Sequence, residues 1–212
     1  MKLAWLTPFS ANSAIGRFSQ TVTDELSKQA EIDLWIAGRE NLLSTSLRII
    51  DYNPALPVDQ WWPRGAYDFA ICNFGEQPFQ RPILEFARKI SSVVVLHDCE
   101  PSRLEDCMSR ALAVVTHSDL LREKIEQVVP QYVEHIPPPS TQGVESYCQR
   151  LLEFLDELRT VKPVLESIHR TAGILAELKV RPDTEIVKTV ASMAAEMFCG
   201  SAEEALWNKK SE

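Results

Sequence analysis

The residues best suited to chemistry in this chain stand at the ends of short apolar runs. His97-Asp98 follows Val93-Val94-Val95-Leu96, and His117-Ser118 follows the run from Ala111 to Thr116. An imidazole next to a carboxylate supplies a general base or a polar grip on a sugar hydroxyl, because histidine changes charge near neutral pH. A capped strand end with a satisfied imidazole is an equal alternative for this pair, and His117, His135 and His169 also have ordinary structural readings. A second candidate is the small-residue loop Ser10-Ala11-Asn12-Ser13-Ala14-Ile15-Gly16, which opens a helical pattern. Ser13, Ala14, Ile15 and Gly16 would present backbone N–H groups to a phosphate or carboxylate, aided by the helix dipole. The loop holds a single glycine and no G-x-G-x-x-G or Walker pattern, so a plain strand-to-helix turn is its alternative. Asn73, Gly75 and Glu76 complete the substrate-binding candidates, together with His117 and Ser118.

These groups need a frame, and the hydrophobic pattern provides one. Strand-like runs lie at Leu3–Leu6, Ile32–Ala37, Leu47–Tyr52, Tyr67–Phe74, Val93–Leu96, Ala111–Thr116 and Tyr132–Ile136. Helical patterns separate several of them, carried by Phe18, Val22, Leu26 and Ala30, by Ile83, Leu84, Phe86 and Ala87, and by Leu120, Leu121, Ile125 and Val128. Continuous apolar strands alternating with helices predict a parallel sheet covered on both faces, an α/β Rossmann-like fold. In such a sheet, ligands bind beyond the carboxyl ends of the strands, where every candidate above falls.

Pro137-Pro138-Pro139 marks the strongest boundary, since proline can neither extend a strand nor sit within a helix without losing a hydrogen bond. It divides an α/β domain, 1–139, from a helical tail, 140–212. In the tail, Val144 to Leu158 predicts one helix, Val164 to Ala176 a second and Ile186 to Phe198 a third. Ser201 to Glu204 has the form of a capping box for a final turn with Leu206 and Trp207. Trp61-Trp62-Pro63 reads as core filling under a loop, with a sugar-stacking or partner surface as the alternative.

The totals exclude several classes. With 30 acidic against 22 basic residues and a net charge of −8, binding to nucleic-acid phosphates is disfavoured. No apolar run approaches the roughly 20 residues that span a bilayer, and the first apolar stretch is too short for a signal-peptide core. Five scattered cysteines (Cys72, Cys99, Cys107, Cys148 and Cys199) form no CxxC pair, which points to free thiols, a cytoplasmic location and no metal site.

The ordered segments resemble a known family. Lys2-Leu3-Ala4-Trp5-Leu6-Thr7-Pro8 followed by Ser13-Ala14-Ile15-Gly16-Arg17-Phe18-Ser19 is similar to the opening of bacterial family-4-type glycosyltransferases of the GT-B fold. Tyr67-Asp68, Gly75-Glu76-Gln77-Pro78-Phe79, Val93-Val94-Val95-Leu96-His97-Asp98, Ala113 to Ser118 and Val133 to Pro137 resemble later segments of the same family in the same order. The resemblance covers residues 1–139, and the tail from Val144 is similar to the helices that close such enzymes and pack back on the first domain. The donor-binding domain that would lie between Pro139 and Val144 is absent. Glutamate pairs at the family's seven-residue separation (Glu126/Glu134, Glu145/Glu153 and Glu196/Glu204) lack its glycine surroundings and are coincidental in so acidic a chain. Ala14 stands where the family often has glycine.

The resemblance implies a single GT-B half-domain that holds a sugar or glycan acceptor and retains glycosyl transfer only with a separate donor-binding subunit. His97 and Asp98 would then face the acceptor, and Ser13 to Gly16 the diphosphate of a UDP- or GDP-sugar. That donor is bound only with the partner's help, and no cofactor is held tightly. The alternative is a non-catalytic remnant serving as a binding, scaffold or oligomerisation module, because losing half of the fold exposes surface that once faced the other domain.

Overall fold

The seven apolar runs form seven strands. The structure is a computed structural model that describes residues 1–38, 40–53, 55–75, 81–97, 110–126 and 132–177, with backbone alone at 168 and 170–177. Strands β1 (Lys2–Leu6), β2 (Glu31–Ile36), β3 (Arg48–Asp51), β4 (Phe69–Phe74), β5 (Ser92–Leu96), β6 (Ala111–Thr116) and β7 (Tyr132–His135) build one sheet in the order β3-β2-β1-β4-β5-β6-β7. Every pairing is parallel. The fold is α/β and Rossmann-like. The strand order reverses between β1 and β4, and helices leave these two strands toward opposite faces, which opens a crevice at their carboxyl ends.

Helices α1 (Ala14–Leu26), α2 (Arg81–Ala87), α3 (Asp119–Glu126), α4 (Pro139–Gln142) and α5 (Val144–Glu177) follow. Ser13 caps α1, its hydroxyl accepting from the Gly16 N–H at 3.1 Å, which satisfies one of the helix's unpaired donors. The Trp5 indole donates to the Ser19 hydroxyl at 3.0 Å, and the Cys148 thiol donates to the Val22 carbonyl at 3.6 Å. α1 therefore lies between β1 and α5 on one face. On the other, Leu6, Cys72, Phe74, Val94 and Leu96 pack with Ile83 and Phe86 of α2 and Ile125 of α3.

Between β3 and β4 the described residues hold a 3₁₀ turn, Val58–Gln60, in place of an α-helix. Trp61 and Trp62 supply the missing layer. Trp61 stacks on Tyr52 with centroids 4.6 Å apart, and Trp62 meets Phe86 edge-on at 4.8 Å. These contacts place both indoles against the core, in keeping with the core-filling reading. The Tyr52 ring is 4% exposed, and its hydroxyl has no partner among the described residues. Tyr52→Phe keeps the stack and removes an unpaired buried group. It is expected to leave stability unchanged or raise it by about 1 kcal/mol, read from the urea midpoint.

The tail departs from the expected pattern of separate helices. Val144–Glu177 is one continuous helix with Pro163 inside it, where the sequence pattern predicts a break between Leu158 and Val164. Proline removes one backbone donor, yet its fixed φ is helical, so the chain continues past the lost bond. Contacts divide the chain into two units, Met1–Pro163 and Val164–Glu212. Within the first unit, Tyr147, Cys148, Leu151 and Leu155 of α5 are fully buried. In the second, the described backbone is the end of α5; the third tail helix and the final capping-box turn lie outside the described residues.

Candidate functional site

At the carboxyl edge, residue 73 decides how the strands meet. Asn73 is fully buried on β4, and its amide nitrogen donates to the Leu6 carbonyl at the end of β1 at 3.1 Å. Its carbonyl oxygen lies 3.2 Å from Nε2 of His97, just past β5. One side chain thus ties three strand ends across the switch point. Because the amide nitrogen is committed to Leu6, the oxygen faces His97, so Nε2 of His97 carries the proton and Nδ1 keeps its lone pair.

His117 follows β6, and its Nδ1 lies 3.0 Å from the Ile136 carbonyl beyond β7. Nδ1 must donate, which leaves Nε2 as a bare acceptor. Phe18 of α1 packs against both imidazoles, with its centroid 4.4 Å from His97 and 5.4 Å from His117. The imidazole centroids are 4.9 Å apart, and Tyr147 of α5 closes the group 5.7 Å from His117. Nε2 of His117 and the Tyr147 hydroxyl are both buried without a partner among the described residues.

Burial sets the charge here. It lowers the His97 pKa to about 3, reinforced by the neighbouring His117, and burial likewise lowers His117 against the opposing pull of the Ile136 carbonyl. Both imidazoles are neutral at pH 7, so His97 is a hydrogen-bonding group and a poor proton acceptor. Both pKa values lie below the unfolded value of about 6.5. The unfolded chain therefore binds more protons in acid, and the His97 contribution is complete above about pH 6.5 and lost as pH falls toward 3. His97 is expected to remove about 1.4 kcal/mol per pH unit over that window, and His117 acts in the same direction. Urea midpoints at pH 7 and pH 5 check this, and replacing His97 with glutamine should flatten the slope.

The other sequence candidates divide. Ser118 is exposed and caps α3, accepting from the Leu121 N–H at 3.4 Å. Gly75 is buried directly after β4, while Glu76 and Asp98 lie outside the described residues. His135 meets Asp119 at 3.0 Å. Ser13, Ala14, Ile15 and Gly16 form the start of α1, where Ser13 faces the loop after β1. There a cleft of 330 Å³ is lined by the loop after β1, the end of β2, Asn41, Tyr52 and the start of α2. Nothing in the sequence marks this cleft, because its second wall is the segment after β2, which has no motif.

Among the described residues, no group of three or more His, Cys, Asp or Glu side chains is placed to hold a metal, and no helix is long and apolar enough to cross a membrane. No protein-family model matches the chain, and no curated protein matches it significantly.

Proposed function

We propose that this chain is the acceptor-side half of a nucleotide-sugar-dependent glycosyltransferase, working with a separate donor-binding subunit. The observation that carries the reading is the Asn73 bridge, which fixes the tautomer of His97, neutral through burial, beside the crevice between β1 and β4. A rigid, uncharged acceptor of hydrogen bonds suits a sugar hydroxyl better than a mobile ionic group, because little ordering is needed on binding. The junction after β7 agrees with the resemblance: α4 and Gly143 (φ 86°) lead directly into α5, where two-domain relatives insert the donor half.

Transfer needs the donor enclosed between two walls that exclude water, and one half-domain offers a single wall. Calorimetric titration of the chain alone with UDP- and GDP-sugars is expected to show no binding. Micromolar affinity would sink the split-enzyme reading in favour of a self-sufficient enzyme.

The low basicity of His97 favours a second reading, a sugar-binding or scaffold module without turnover. The two separate on one assay. A chain that gains glycosyl transfer when mixed with a donor-binding subunit is half of an enzyme, and one that binds such a subunit without transfer is a module.

A further inference from the structure

We infer that the cleft beside α1 binds an uncharged, hydroxyl-bearing ring about the size of one sugar unit, with the Asn41 amide as its hydrogen-bonding residue, and that no phosphate is held at the start of α1. This rests on the acceptor-side reading and names the ligand class for that side of the crevice. The start of α1 is already closed. The Ser13 hydroxyl takes the Gly16 N–H, and a Cβ at Gly16 would stand 2.5 Å from the Ser10 carbonyl and 2.6 Å from the Pro8 carbonyl. The glycine lets the Pro8 and Ser10 carbonyls approach the first turn of α1, and their partial negative charge opposes an anion there. The Arg17 guanidinium is turned to the Ala11 carbonyl at 2.7 Å.

The cleft has the form of a site for a neutral ligand. Its two loops are zipped by an antiparallel bridge between Ser10 and Leu42 and by the Ala11 N–H donating to the Asn41 carbonyl at 2.9 Å, so its walls are preformed. Phe9, Ile36 and Ile83 give it an apolar floor, while Ser10, Asn12 and Asn41 give a polar rim. Among the described lining residues Glu40 is the charged one, and it repels anions. A sugar ring has the matching shape, an apolar C–H face and a hydroxyl edge. The 330 Å³ volume lies at the small end of the roughly 300–1,000 Å³ of ligand pockets. Asn41 holds φ at 51°, a left-handed conformation that asparagine tolerates and that recurs at ligand clamps.

Asn41→Gly is the discriminating change, because glycine adopts that backbone freely and only the amide is lost. The full-length chain is titrated with methyl α-glucoside, methyl α-mannoside, methyl β-galactoside and inorganic phosphate, with saturation-transfer NMR as readout. One or more glycosides are expected to bind and phosphate not to bind. Asn41→Gly is expected to weaken the glycoside about five- to tenfold, the equivalent of about 1–1.4 kcal/mol, with Tm unchanged or raised. Glycoside binding that Asn41→Gly leaves intact overturns the cleft as its seat and leaves the acceptor-side reading standing. Phosphate binding without glycoside binding overturns the ligand class. Binding of neither glycoside nor phosphate overturns the cleft as a ligand site, and the acceptor-side reading is then judged by the transfer assay alone.

Discussion

Replacing Gly16 with alanine is expected to destabilise the protein by about 2–3 kcal/mol, the range for forcing atoms into a filled site. Helix propensity alone predicts the opposite sign, since alanine within a helix gains roughly 0.5–1 kcal/mol over glycine. The local geometry decides against it. The added Cβ would meet three backbone atoms, the Ser10 carbonyl, the Pro8 carbonyl and the Ser10 nitrogen, at 2.5, 2.6 and 2.8 Å. Backbone on two sides cannot rotate away as a side-chain tip does, so the loop from Pro8 to Ser10 must lift. That motion would strain the bridge from Ser10 to Leu42 and open the cleft wall. For a domain of this size the loss corresponds to a fall in Tm of about 8 °C. A change below about 0.5 kcal/mol, the level of an ordinary surface substitution, would show that the loop yields and that the close approach is not required.

Asn73→Leu is expected to have the other large effect, about 3 kcal/mol of lost stability, because it leaves two buried partners unpaired at about 1–3 kcal/mol each. Leucine has the same number and branching of heavy atoms, so the loss would not report a cavity. The His97 tautomer separates lost hydrogen bonds from the crowding of leucine's bulkier methyl groups. The partners are the Leu6 carbonyl and Nε2–H of His97. The imidazole signals in a nitrogen-edited NMR spectrum give an independent readout: removing Asn73 should erase the fixed Nε2–H tautomer of His97. A leucine variant with unchanged stability and an unchanged His97 tautomer would mean that Asn73 does not brace the switch point.

The fold was largely legible because its strands are buried on both faces and read as continuous apolar runs, from Leu3–Leu6 through Ala111–Thr116. The parallel arrangement followed from the helices between them. The single helix through Pro163 was not legible, since proline is a breaker by local rule and continuation depends on context that the local pattern does not contain. At the site, sequence placed His97, His117 and Asn73 at strand ends but could not show that Asn73 turns inward to join three strands. Only the hydrogen bonds of its amide to the Leu6 carbonyl and to His97 reveal that. The cleft was hidden for a different reason. Its second wall, around Asn41, is held by backbone hydrogen bonds, and backbone bonds leave no residue signature. Trp61 and Trp62 were readable as core filling; that they stand in for a crossover helix was not.

As the proposed acceptor-side half, the chain needs a second subunit. The most direct test is glycosyl transfer from UDP- and GDP-sugars, measured for the purified chain alone and for the complex isolated with it from its native cells. Transfer is expected from the complex and none from the chain alone. Transfer by the isolated chain, or a complex that contains a donor-binding subunit and transfers no sugar, would contradict the split-enzyme reading.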